Sequence, residues 1–230
     1  MKQEQGPDRA VEELIREVER EIRETARHTG VSRLSEPVRE ALKGVPRDAF
    51  VPDGEQHAAW LNIPLPIGHG QTISQPYIVA LMTELLRIDG SSRVLEIGAG
   101  SGYQAAILSR IAAEVYTVEI VPALAERAER RLRELGCDNV HVRRGDGHLG
   151  WPEHAPYDGV IVTAAAPSIP AALVEQLREG HRMVIPIGRP WGPQVLTLLE
   201  KAEGGRISTR EVLPVAFVPM TGPGDSAGTG

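Results

Sequence analysis

Apolar residues recur at Val11, Leu14, Ile15, Val18 and Ile22, with Glu and Arg filling most of the intervals. Steps of three and four put them on one helical face, so the spacing predicts an amphipathic helix over 8–27 that stops near Gly30. A shorter helix is expected over 35–44, with Ser35 as N-cap, Pro37 in its first turn and Gly44 at its end. Two prolines break 45–52, where Phe50 is the expected core anchor. Prolines 64, 66 and 76 with glycines 68 and 70 suggest an extended loop over 60–76, without helix or strand. A helix follows from Tyr77 through Leu86.

From residue 91 the period alternates. Strands are expected at 93–97, 115–119, 140–143, 157–162 and 182–187, with helices at 102–113, 122–135 and 169–178. Strands at 196–199 and 212–218 leave room only for a turn between them, so they form an antiparallel hairpin at the sheet edge. The fold class is α/β: a doubly wound, mostly parallel sheet with an antiparallel edge and N-terminal helices. A single domain is expected, with 1–90 packed on a core of 91–221 and a disordered tail over 222–230.

The chemistry centres on 94–102, V-L-E-I-G-A-G-S-G. An apolar strand carrying Glu96 breaks into Gly98, Gly100 and Gly102, and a helix follows. That layout lets backbone approach a ligand and points free helix N–H groups at it. Dinucleotide sites read G-x-G-x-x-G. The third glycine here comes one residue early, which suits the S-adenosylmethionine turn of Rossmann-like methyltransferases better than a pyrophosphate cradle. The next strand ends in Glu119, an acceptor for paired ribose hydroxyls that supports an adenosine ligand of either kind. Asp146, between Gly145 and Gly147, is placed to accept an adenine amino group. Thr163-Ala164-Ala165 leaves room at the fourth strand end and supplies no nucleophile.

Composition narrows the classes. The 230 residues are 41 % hydrophobic but only 4 % aromatic, so the core is aliphatic. A net charge of −6 argues against a nucleic-acid partner. The lone Cys137 and the scattered histidines give no metal-ligand spacing, so no metal is expected. The charged N-terminus lacks an apolar run and no stretch approaches a membrane span, which makes a cytoplasmic protein, taken as a monomer, the default.

Gln71-Thr72-Ile73-Ser74 lies just before a helix start, where small hydroxyls and free N–H groups suit a carboxylate. Taken alone, Ser74 reads more readily as a plain N-cap with Pro76 at N2.

With both stretches in hand, the chain resembles the protein-L-isoaspartate (D-aspartate) O-methyltransferase family from about Val45 to Thr221. The likeness rests on V-P-R-D-A-F-V-P, P-L-P-I-G-H-G-Q-T-I-S-Q-P-Y, V-L-E-I-G-A-G-S-G-Y-Q-A-A, G-D-G, Y-D-G-V-I-V-T-A-A-A-P and L-P-V-A-F-V-P-M-T-G. The glycine turn is shared by many methyltransferases, whereas the G-Q-T-I-S-Q-P segment is much more particular. The resemblance implies transfer of the S-adenosylmethionine methyl to the stray carboxyl of isoaspartyl and D-aspartyl residues in damaged proteins and peptides. It implies Ser74 as the active-site serine, with Gln71, Thr72 and Ile73 in the same substrate loop and Val218 and Thr221 in the stretch lining the peptide cleft. Cofactor positions are then Glu96, Gly98, Gly100, Ser101, Gly102, Glu119, Asp146 and Gly147. Trp60, Asn62 and His181 depart from the family's usual Tyr, Asp and Gly. Methylation of a small-molecule acid is the alternative.

Overall fold

A computed structural model describes residues 7–189 and 192–222; the expected tail lies, apart from Gly222, outside them. The amphipathic stripe forms α1 (Pro7–Thr29), and Val11, Leu14, Ile15, Val18 and Ile22 are all buried. Gly30 ends it at φ +75. Arg210 donates to the His28 and Thr29 carbonyls, satisfying acceptors that the helix end leaves open. The helix packs mainly on α3 (Pro76–Leu86), with α2 (Glu36–Gly44) beside it. Ser35 stands at the N-cap of α2 but makes no cap bond, because its hydroxyl and N–H both go to Glu84.

The stretch expected to be irregular is partly regular. Residues 47–50 form one 3-10 turn between the two prolines, and Phe50 is buried as expected. Residues 65–73 form a hairpin rather than a loop: β1 (Leu65–Gly68) pairs antiparallel with β2 (Gln71–Ile73). Proline was read as excluding strands. In a two-stranded ribbon both outer edges are unpaired, so Pro66 costs no ladder bond if its missing N–H faces outward.

The main sheet holds β3 (Arg93–Ile97), β4 (Glu114–Glu119), β5 (Val140–Arg144), β6 (Tyr157–Val162), β7 (Leu177–Gly188), β8 (Gln194–Lys201) and β9 (Ile207–Val215) in the order β5-β4-β3-β6-β7-β8-β9. Neighbours from β5 to β7 are parallel, and β7-β8 and β8-β9 are antiparallel. The doubly wound sheet with an antiparallel edge is therefore present. Strand order reverses between β3 and β6, which opens a crevice at their carboxyl ends. The intervening helices α4 (Tyr103–Ser109) and α6 (Ala171–Gln176) are shorter than expected, and α5 (Pro122–Glu134) matches. Helix α6 yields early because Leu177 already pairs with Tyr157 in the sheet. His181 lies inside β7, opposite Lys201, and not in a turn. The last strand begins and ends earlier than expected, and residues 218–220 leave the sheet.

Candidate active site

The glycine turn caps β3 at the crevice. The Gly98 N–H bonds the Val118 carbonyl at 2.8 Å, and the Thr163 hydroxyl donates to the Gly98 carbonyl at 2.7 Å. A Cβ on Gly98 would lie 2.5 Å from that hydroxyl oxygen, at φ +94, so only glycine fits. Gly147 is confined differently: an added Cβ would come within 2.3 Å of the Ile97 side chain. Both glycines keep the crevice open to a ligand.

Glu119, at the end of β4, is buried. Its Oε2 accepts the Gly100 N–H at 2.8 Å and its Oε1 the Val121 N–H at 2.9 Å. A carboxylate offers about four acceptor positions, so two remain for a pair of hydroxyls. Glu119 faces a cavity lined also by Gly98, Gly100 and Ser101 of the glycine turn, the place where an adenosine ligand would sit.

Of the expected cofactor residues, Gly98, Gly100, Ser101, Glu119 and Gly147 lie on the cavity wall. Glu96, Gly102 and Asp146 lie off it. Glu96 is fully buried within β3, and neither carboxyl oxygen has a hydrogen-bond partner among the described residues. Burial pushes its pKa up to about 8, so it is a neutral acid at pH 7. Gly102 is the N-cap of α4. Asp146 caps the 3-10 turn at Gly147: its Oδ1 accepts the His148 N–H at 2.9 Å and lies 2.8 Å from His148 Nδ1.

All the expected substrate-side residues reach the same wall: Gln71, Thr72, Ile73, Ser74, Val218 and Thr221. The loop and the turn, some 20 residues apart in sequence, are thus one site. Ser74 follows β2, and Gln75, not Ser74, is the N-cap of α3, with Pro76 at N1. The Ser74 hydroxyl makes no hydrogen bond to any described residue and is available to a ligand. The Asn62 side chain substitutes for a serine cap: its Oδ1 accepts the Tyr77 N–H at 2.9 Å while its Nδ2 donates to Glu21 at 2.7 Å. This departure from the usual Asp ties α1 to the start of α3. Residues 218–220 return over β6 because Ala165 and Met220 donate to the Val218 and Ala165 carbonyls, both at 2.8 Å. The buried Gln194 amide holds Phe217 through two further bonds, of 2.6 and 2.9 Å.

A second cavity shares Thr72, Ser74, Thr163 and Val218 with the first. Pro64, Ile78 and Phe217 give it apolar walls, and no charged side chain lines it. Tyr103 and Gln104 also line the cofactor-side cavity, and sequence reasoning had not assigned them; Met220, within the 218–221 stretch expected along the peptide cleft, lines it too. Tyr103 and Gln104 follow the third glycine directly, and that adjacency was the available signal. No group of His, Cys, Asp and Glu suited to a metal occurs among the described residues.

A reversed-order α/β sheet, a G-x-G-x-G turn and an acid at the second strand end define a Rossmann-like S-adenosylmethionine-dependent methyltransferase. The model for the protein-L-isoaspartate(D-aspartate) O-methyltransferase family matches residues 16–224, and the chain belongs to that family. It is 56 % identical over 209 residues to protein-L-isoaspartate O-methyltransferase 2 of Syntrophobacter fumaroxidans, covering 91 % of this chain and 85 % of the relative. It is 54 % identical to the Polaromonas sp. enzyme of the same name, over 91 % of this chain and 99 % of the other. Among solved structures, a protein-L-isoaspartate O-methyltransferase superposes with a TM-score of 0.81 at 30 % identity, over 92 % of this chain and 66 % of that one. A Plasmodium falciparum structure solved with S-adenosyl-L-homocysteine shares the fold, with a TM-score of 0.76 at 23 % identity over 95 % of this chain and 99 % of that one.

Proposed function

We propose that this chain repairs damaged proteins by moving the methyl group of S-adenosylmethionine to the free carboxylate of isoaspartyl and D-aspartyl residues, with Ser74 orienting that carboxylate. The observation that carries this is the position of Ser74. Ser74, whose hydroxyl makes no hydrogen bond to any described residue, lines both the cavity beside the glycine turn and the uncharged cavity beside Phe217. Glu119, Gly98, Gly100, Ser101 and Gly147 would hold the cofactor. S-adenosylmethionine, when bound, supplies an electrophilic methyl group on a sulfonium sulfur.

A carboxylate has a pKa near 4 and is already the nucleophile at neutral pH, so no general base is needed. The work left to the protein is alignment and exclusion of water. The Ser74 hydroxyl donates to one carboxylate oxygen and leaves the other free to attack. Glu119 is the one charged residue on the cavity wall, and its two oxygens are engaged by backbone N–H groups. With no Lys, Arg or His there, nothing pairs with the carboxylate and dulls it. An isoaspartyl carboxyl hangs directly from Cα, one methylene shorter than the aspartyl side chain. A hydroxyl at fixed reach separates the two.

Replacing Ser74 with Ala tests the assignment. Expected is a fall in kcat of about 10- to 100-fold with S-adenosylhomocysteine affinity kept within about 3-fold. An unchanged kcat would contradict it. The chain is further proposed to act as a cytoplasmic monomer without a nucleic-acid partner. The −6 net charge supports the last point, and sedimentation velocity tests the monomer. No helix among the described residues is long and apolar enough to cross a membrane.

A further inference from the structure

Arg47 is fully buried, yet it makes no ion pair among the described residues. Its guanidinium is satisfied by carbonyls alone. Nε donates to Ala59 at 3.1 Å, Nη2 to Ile63 at 2.9 Å and Nη1 to Ser74 at 3.4 Å. Burial lowers its pKa to about 10, so it remains a cation at neutral pH. Burying a cation without a counter-ion is costly, and an apolar side chain of similar volume would fill the space at no such cost. What an apolar side chain lacks is a planar fork that grips the backbone both before the hairpin, at Ala59 and Ile63, and after it, at Ser74.

The opposite side of the guanidinium meets the cofactor turn. Arg47 lies 5.4 Å from the centroid of the Tyr103 ring, and Tyr103 is the first residue of α4 and part of the cavity wall. Phe50 packs edge-on against Tyr103 at 5.4 Å. Arg131 stacks over Phe50 at 5.5 Å and donates to the Ser101 carbonyl at 3.0 Å. A continuous line of contacts, buried at Arg47, Tyr103 and Phe50, therefore runs from the Ser74 carbonyl to the Ser101 carbonyl through Arg47, Tyr103, Phe50 and Arg131.

We propose that Arg47 is a positioning residue that sets the place of Ser74 relative to the cofactor turn before substrate arrives. It touches neither reactant and acts through Ser74. The proposal rests on Ser74 orienting the acceptor carboxylate. Orientation lost by a fraction of an ångström is paid in kcat and leaves cofactor binding alone.

The test is a double-mutant cycle of Arg47→Lys and Ser74→Ala. Lysine keeps the charge but is a point donor that cannot hold three carbonyls in a plane. kcat and KM for an isoaspartyl peptide are read at saturating S-adenosylmethionine, with S-adenosylhomocysteine affinity by calorimetry and Tm alongside. Arg47→Lys is expected to lower kcat by about 10-fold while S-adenosylhomocysteine affinity stays within about 2-fold. In the Ser74→Ala background the same substitution lowers kcat by less than about 2-fold, since the group it acts through is gone. Two effects that multiply overturn the proposal and leave the Ser74 assignment standing. An unchanged kcat for Ser74→Ala alone overturns both. Should Arg47→Lys fail to fold, the unsubstituted protein gives the answer by nitrogen-15 NMR of the Arg47 Nε–H. With S-adenosylhomocysteine bound and no peptide present, that resonance is expected to exchange slowly with water, and to keep its position when the isoaspartyl peptide is added, because the grip on the Ala59 carbonyl is already made. A resonance that exchanges fast until the peptide is added, and slows only then, overturns the proposal.

Discussion

Glu119 and Gly100 are joined by a hydrogen bond of 2.8 Å from the Gly100 N–H to the carboxylate Oε2. The end of β4 thereby fixes the turn that follows β3. Glu119→Gln puts an amide where a carboxylate accepted two backbone N–H groups. A charge-assisted bond is worth about 1.5–3 kcal/mol, so S-adenosylhomocysteine affinity is expected to fall by roughly 10-fold or more. Calorimetric titration measures this, and an unaltered affinity would contradict the role given to Glu119.

Gly98→Ala attacks the turn sterically. The new methyl would meet the Thr163 hydroxyl at 2.5 Å with the backbone at φ +94. Together the clash and the strain are expected to cost about 2–4 kcal/mol in urea unfolding. Adding Thr163→Ala is expected to recover only part of it, because the backbone strain persists. Full recovery would mean that the hydroxyl contact alone excludes a side chain.

Glu96 predicts a pH dependence. Burial pushes its pKa up to about 8 in the folded chain, from the ordinary glutamate value of 4.5. Between those values the native state holds a proton that the unfolded state releases, so this group's share of stability is fully present below about pH 4.5. It is lost as pH rises through 8, at up to about 1.4 kcal/mol per pH unit. Glu96→Gln, neutral at every pH, is expected to gain Tm over the parent at pH 8.5 and much less at pH 4.5. Equal differences at both pH values would contradict a buried neutral acid. S-adenosylhomocysteine affinity is expected to stay within about 2-fold, since Glu96 lies off the cavity wall.

Asn62 joins Glu21 of α1 to the Tyr77 N–H of α3, and Gln75 also reaches Glu21 at 3.3 Å. Burial already raises the Glu21 pKa. Asn62→Asp keeps the acceptor for Tyr77 but sets a second carboxylate against Glu21. The variant is expected to lose about 1–2 kcal/mol at pH 7. Most of that loss should vanish as pH falls into the carboxylate range and the pair takes up a shared proton. A Tm difference that ignores pH would refute the contact.

Much of this was legible in the chain. The stripe of α1 and the strand–helix alternation are periodic, and periodicity survives folding. Glu119 and the three glycines sit at strand ends, where topology alone names them. The hairpin was hidden by Pro64 and Pro66, whose effect depends on whether an edge is paired. Glu96 and Glu119 look alike in sequence, and only strand register sends one inward and the other to the cavity. Arg47 reads as an ordinary surface charge. Its burial depends on carbonyls of three distant residues, which no local pattern encodes.

The most direct test gives the purified chain methyl-labelled S-adenosylmethionine and two peptides that differ only in an isoaspartyl or an aspartyl linkage. Base-labile label is expected on the isoaspartyl peptide, with the aspartyl twin slower by about 100-fold or more. Equal labelling of the two peptides, or of neither, would contradict the account.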